Sequence, residues 1–339
     1  MLSLCSCAEF FGGADYELSE DGTYAEVVGL NHSYKRVTIA AKYKGVPVKV
    51  IASRAFENAY NTKSVKIAAS ITEIGNEAFL DCSSLEKVKF AKNSELTTIG
   101  ASAFKNCKKL QNVEIPESVT KIGNSAFECC ESFSKIKIPD NVVEIGDNAF
   151  HGCFRTASIE IGKGVTSISR SAFSGLERVE SLSISLETGI LDMLTSNIFG
   201  NNMSISNVFG NSLKAVIITG GTMIPEGALR NCSNIKSVKL PDSITSIGEL
   251  AFANCYALKS IVIPASVESI SYGAFYNCSA LKTVYYGGTA EEWAEIAINN
   301  TYGYNDKLIN ATRYYYSESE PTVSGNYWHY DSDGNIVIW

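Results

Sequence analysis

A period of 23 residues runs through most of this chain. Aligned on the dipeptide Ala-Phe, one position recurs as Phe56, Phe79, Phe104, Phe127, Phe150, Phe173, Phe199, Leu229, Phe252 and Phe275. The steps ending at Phe104, Phe199 and Leu229 are longer, at 25, 26 and 30 residues. Five places earlier stands an apolar column: Ile51, Ile74, Ile99, Ile122, Ile145, Ile168, Leu194, Ile224, Ile247 and Ile270. A unit this short cannot shield its own apolar side chains, so such a chain has to stack its units.

Within a unit, Ile136-Lys137-Ile138 alternates apolar and polar residues, the pattern of a strand with one buried face. Glycine ahead of Ala-Phe (Gly75, Gly100, Gly123, Gly146, Gly248) is expected to permit a tight turn, and Pro116, Pro139, Pro241 and Pro264 to stop the strand. Each unit then reads as a short strand, a corner, a second extended piece and a short helical or irregular return.

The recurring string Ile-Gly-x-x-Ala-Phe-x-x-Cys-x-x-Leu-x-x-Val-x-Ile-Pro resembles the BspA-like, or Treponema-type, leucine-rich repeats of bacterial surface proteins, over about Ile51 to Gly288. The resemblance implies a repeat solenoid, a right-handed leucine-rich-repeat-like superhelix of about ten coils with short parallel β-strands. It also implies a secreted or cell-surface protein with an adhesive or host-interacting role, and it carries no catalytic motif.

The expected organisation is an export-signal remnant or disordered segment at 1–13, an N-terminal β cap at 14–50, the solenoid at 51–288 and a C-terminal helix and β-hairpin cap at 289–339. Leu4-Cys5-Ser6-Cys7 resembles a lipobox with Cys7 as the lipidated residue, although a basic stretch and a full apolar core are missing before it. The repeat degrades over 185–227, read either as a protruding loop that sets partner specificity or as a decayed coil that still packs. Both ends need cover. Tyr16 to Leu30 reads as a hairpin turning at Asp21-Gly22, and Thr289-Ala290-Glu291-Glu292 as a capping box.

With 29 Lys+Arg against 36 Asp+Glu, the net charge of -7 excludes a globally basic nucleic-acid binder, and no apolar stretch of about 20 residues is present to cross a bilayer. Seven cysteines (Cys82, Cys107, Cys130, Cys153, Cys232, Cys255, Cys278) follow the aligned position by three. Stacked side chains point in parallel, which suits neither a disulfide nor converging metal ligands, so these read as small buried thiols. No cofactor is expected. His32, His151 and His329 have no nucleophile and acid assignable by spacing.

Charge concentrates on the outward strand positions. Lys63, Lys66, Lys87, Lys89, Lys135, Lys137, Lys214, Lys236, Lys239, Lys259 and Lys282 stand there against Glu86, Glu114, Glu160 and Glu180, a local +7. Such a face attracts an acidic protein segment or an anionic glycan, or else serves only to keep an exposed sheet soluble and unpaired. Tyr285 interrupts the lysines, and stacking aromatics for nucleic acid are otherwise lacking there. The functional expectation is a non-catalytic, monomeric surface protein that binds protein through this face. The alternative is a carbohydrate binder using Tyr314, Tyr316, Trp328 and Trp339.

Overall fold

The structure, a computed structural model, describes residues 13–30, 34–187, 189–190 and 204–339. Cys7, His32, Leu194 and Phe199 lie outside the described residues. Two compact units are present. The first runs to Thr156 and includes Ser171–Gly175, and the second comprises Ala157–Arg170 and Leu176–Trp339. Each is a stack of coils, the architecture of a repeat solenoid.

In the first unit an antiparallel hairpin, Ala14–Leu18 with Ala25–Leu30, lays its second strand parallel to Val46–Ile51. From there the apolar column becomes a parallel ladder in which Ile51, Ile74, Ile99, Ile122 and Ile145 are successive partners. A separate parallel sheet joins Arg36–Thr38, Ser64–Ile67 and Lys87–Phe90. In the strand Lys135–Ile138 both isoleucines are buried and both lysines exposed, as alternation requires. The phenyl rings of Phe56, Phe79, Phe104, Phe127, Phe150 and Phe173 stack with centroids 4.7 to 5.5 Å apart. All six are buried, so an aromatic column runs beside the isoleucine column in the core of this unit.

The return segments are short irregular turns, as expected, and one regularity runs through them: alternate N–H groups donate to the next coil, Arg54 to Asn76, Phe56 to Ala78 and Asn58 to Leu80, then Glu77 to Ala101, Phe79 to Ala103 and Asp81 to Lys105. This second backbone ladder requires positive φ two residues before and two after the phenylalanine, as at Glu77 (59°) and Asp81 (58°). The repeated glycine, in turn, does not have a positive φ. A Cβ on Gly123 would lie 2.7 Å from the backbone of Gly100 and Ala101, so glycine is required by close approach of neighbouring coils.

The cysteines are buried and free, and they are more than hydrophobes. Six of the seven thiols donate to the carbonyl of the aligned residue one coil earlier, as Cys107 to Phe79 (3.2 Å), Cys130 to Phe104 (3.3 Å) and Cys278 to Phe252 (3.1 Å); the counterpart for Cys232 would be Phe199, outside the described residues. Ion pairs at the repeat spacing, Lys105–Glu128 (2.9 Å), Lys108–Glu131 (3.0 Å) and Lys121–Glu144 (2.9 Å), add little, since pairs near the surface contribute at most about 1 kcal/mol.

The second unit repeats this plan. Ser158–Ile161, Ser181–Ser185, Ala215–Gly220 and Ser237–Lys239 form one parallel sheet, and Ile224, Ile247, Ile270 and Ile298 another ladder. Within 185–227 the described residues keep their anchors: Leu213, Val216 and Ile218 are buried, and a short helix, Ser206–Phe209, buries Phe209. Ser260–Ile263, Thr283–Tyr286, Thr312–Tyr316 and Tyr327–Tyr330 run parallel, and Ile336–Ile338 closes the sheet antiparallel. The helix Ala290–Glu295 starts in a full capping box between Thr289 and Glu292 and buries Trp293.

Candidate binding surface

Every lysine of the expected face is exposed, but they do not form one unbroken ribbon. In the first unit Lys66 and Lys89 are direct partners across a parallel strand pair, and Lys87 sits opposite Ser64. Arg36, paired with Ser64, extends the cluster and was not recognised from sequence, because its strand lies ahead of the first Ala-Phe unit. Lys63 is different: its ammonium lies 3.0 Å from Glu86, and Lys214 is likewise held by Glu180 at 2.6 Å. Lys66, Lys87 and Lys89 have no carboxylate within ion-pair distance among the described residues. Like charges held side by side repel, so this part of the sheet retains a net positive field.

The sheet is interrupted next to that cluster. Residues 111–114 alternate like any other strand, yet they form none. The side chain of Asn112 is the cause: its Oδ1 accepts from the backbone N–H of Ser134 (2.8 Å) and of Lys135 (3.0 Å), occupying the place of a ladder carbonyl. The N–H groups of Asn112, Val113 and Glu114 reach no acceptor among the described residues. A groove of about 450 Å³ results, lined by Lys87, Val88, Lys89, Phe90, Gln111, Asn112 and Glu114. Lys135 and Lys137 stand beyond this break.

In the second unit the outward rows are mostly neutral: Ser158, Ser181, Ala215 and Ser237 in one, Glu160, Ser183, Ile217 and Lys239 in the other. Lys236 precedes the strand Ser237–Lys239 of that sheet, while Lys259 and Lys282 precede consecutive strands of the next. There Tyr285 is opposite Tyr314, with ring centroids 5.5 Å apart. Of the four aromatic residues expected to stack on sugar, Trp328 is withdrawn from solvent. It is 1% exposed, its indole donates to the Tyr286 carbonyl at 2.8 Å, and the rings of Tyr285, Tyr316 and Tyr330 pack edge-on around it. Trp339 is exposed and stacks on His329.

One chemically suggestive row was also missed. Glu128, His151 and Ser174 each follow the aligned phenylalanine in successive coils, a coincidence visible in the sequence once the units are overlaid. His151 Nδ1 lies 2.8 Å from Ser174 Oγ and 3.0 Å from the Ser174 carbonyl. A carbonyl only accepts, so Nδ1 carries the proton, and the serine hydroxyl donates to Ser171 at 2.9 Å. A general base needs a free nitrogen at the hydroxyl, and here that nitrogen is a donor. Among the described residues no group of three or more His, Cys, Asp or Glu is placed to hold a metal ion, and no helix is long and apolar enough to cross a membrane.

The chain matches the family model of the BspA type leucine rich repeat region in six copies, over residues 49–180, 97–217 and 206–311. Among solved structures it is similar to a leucine rich cell surface protein from Faecalibacterium prausnitzii, with 25% identity over 84% of this chain and 96% of that one and a TM-score of 0.46. A leucine-rich repeat protein from Bacteroides ovatus is 24% identical over 90% and 93% of the two chains, with a TM-score of 0.40. The T. pallidum leucine rich repeat protein is 19% identical over 73% and 88%, with a TM-score of 0.39. No curated protein matches the chain. Repeat proteins of this type are bacterial surface proteins generally engaged in protein interaction. The isoleucine ladder, the phenylalanine column and the six matched copies together make this chain a member of the BspA-type leucine-rich repeat family.

Proposed function

We propose that the protein works at the bacterial surface as a non-catalytic binding protein, and that its first unit captures an extended acidic segment of a partner protein. The observation that carries this reading is the in-register pair Lys66 and Lys89, which has no carboxylate within ion-pair distance among the described residues and stands with Lys87 beside the groove at residues 111–114. The cations would steer an acidic chain into contact, and the N–H groups of Asn112 and Glu114, which reach no acceptor among the described residues and lie on one edge of the segment, would bond to its backbone. The family's general association with protein interaction supports the class of partner.

The test is fluorescence anisotropy with a labelled decaglutamate peptide. Binding should weaken at least tenfold between about 50 and about 500 mM salt, where the screening length falls from above 10 Å to a few ångströms. The double variant Lys66→Glu/Lys89→Glu should abolish it, and Lys63→Ala, whose ammonium is already paired, should leave it nearly intact. Affinity that ignores salt or survives the double reversal would overturn the electrostatic reading. Surface display is tested separately, by protease shaving of intact cells.

A further inference from the structure

A cleft of about 680 Å³ in the second unit is lined by Tyr276, Asn277, Lys282, Tyr304, Asp306 and Asn310 among others, and shares no residue with the cationic cluster. Its two tyrosine rings are 4.6 Å apart and tilted by 38°. Tyr276 follows the aligned Phe275 and is 39% exposed, so its ring faces outward by its position in the repeat. Tyr304 is held by its neighbour. Asn305 is fully buried, accepts from the Phe275 N–H at 2.9 Å, and donates to the carbonyls of Ser271 (2.9 Å) and Asn299 (2.7 Å). A loop outside the repeat is thereby fixed onto the coil at Phe275, and Tyr272 packs against the Tyr304 ring at 5.1 Å. Tyr304 in turn backs the Tyr276 ring, so that ring is positioned before any ligand arrives, which lowers the entropic cost of binding.

Polar groups surround the rings. Asn277 spends its amide nitrogen on Asn254 (3.0 Å), which leaves its Oδ1 as an acceptor. The Asp306 carboxylate receives one bond from Asn300 (2.9 Å) and retains capacity for more. Lys282 supplies donors at the wall, and Asn310 supplies both kinds of group. An aromatic floor with a few converging acceptors and donors suits a ligand that is apolar on one face and hydroxylated at its rim.

We propose that this cleft binds a pyranose ring of a glycan. The sugar's C–H face lies on the outward face of Tyr276, the ring that Tyr304 backs, whose negative π face attracts the slightly positive hydrogens. Its hydroxyls donate to Asp306 and to Asn277 Oδ1. This assignment does not rest on the acidic-segment reading, which concerns other residues in the other unit. It also moves the sugar surface away from the terminal strands, where Trp328 is inside.

The experiment is saturation-transfer NMR on the full chain with methyl β-D-glucopyranoside, methyl β-D-galactopyranoside, N-acetyl-D-glucosamine and D-glucuronate. At least one should receive saturation, strongest at its ring protons. Tyr276→Ala should reduce that transfer about five- to tenfold, as loss of a stacked ring implies, and Tyr276→Phe should retain it. Asp306→Asn keeps the shape and should weaken transfer by itself, and thermal unfolding of each variant separates misfolding from lost contact. The proposal is overturned if none of the four sugars receives saturation, or if transfer is undiminished in both Tyr276→Ala and Asp306→Asn.

Discussion

The thiol of Cys130 donates to the carbonyl of Phe104 at 3.3 Å, which ties the cysteine column to the phenylalanine column across coils. Cys130→Ala removes both the bond and a buried sulfur and should lower the unfolding free energy by about 1–2 kcal/mol, read from urea midpoints under reducing conditions.

Burial also sets a pH dependence. It pushes the thiols of Cys232 and Cys278 up to about 12, from an ordinary value of 9.0, and that of Cys130 well above its ordinary value too. The folded state therefore keeps protons that the unfolded chain releases above pH 9. This contribution to stability is full below that pH and is lost as pH rises through the folded values. The urea midpoint should decline as pH is raised from 9 towards 12, and decline less steeply in Cys232→Ala/Cys278→Ala. An equal slope in that variant would remove the thiols as the cause.

Two glycines should respond to alanine in opposite degree. At Gly123 the new Cβ meets backbone at 2.7 Å, whereas at Gly22, with φ of 68°, it meets nothing within 4 Å. Gly123→Ala should cost about 3 kcal/mol through forced separation of coils, and Gly22→Ala about 1 kcal/mol through left-handed strain alone. Thermal melts of the two variants decide this.

Trp328→Ala should cost about 3–5 kcal/mol, because it empties a buried site and leaves the Tyr286 carbonyl without its indole donor. Trp339→Ala, at a half-exposed ring, should cost less than about 1 kcal/mol. Limited proteolysis of the terminal strands should follow the same order.

Lys89→Glu places opposite charges across the Lys66 pair. It should raise stability by a few tenths of a kcal/mol while weakening acidic-peptide binding. A variant that loses both properties would mean that Lys89 packs structurally, which its exposure argues against.

The stacked columns were legible in the sequence because burial there leaves one residue type at each position: Ile122 and Phe127 have the same neighbours as Ile99 and Phe104. The strand face was legible by alternation, as at Ile136 and Ile138. The break at 111–114 was not, since Gln111-Asn112-Val113-Glu114 alternates like its neighbours and only the placement of one amide oxygen opens the ladder. The return ladder was hidden for another reason. Several of its left-handed positions carry Arg54, Glu77 or Leu250, residues that no turn rule selects, held there by cross-coil bonds. The tyrosine cleft depends on a loop that Asn305 fixes to a coil about 30 residues earlier, a tie that local patterns do not report.

In the first unit Gly100 rests on the backbone of Gly75 and Asn76, and Gly123 on that of Gly100 and Ala101, so each coil offers the same seat that it occupies. A junction of that kind is indifferent to how many copies precede it. Excising or duplicating one whole coil restores an equivalent joint, and the 25 residues between Gly75 and Gly100, against 23 between Gly100 and Gly123, are taken up between the joints and not at them. The number of turns in such a chain is therefore free to vary: recombination can shorten or extend it by complete coils without altering any joint that remains.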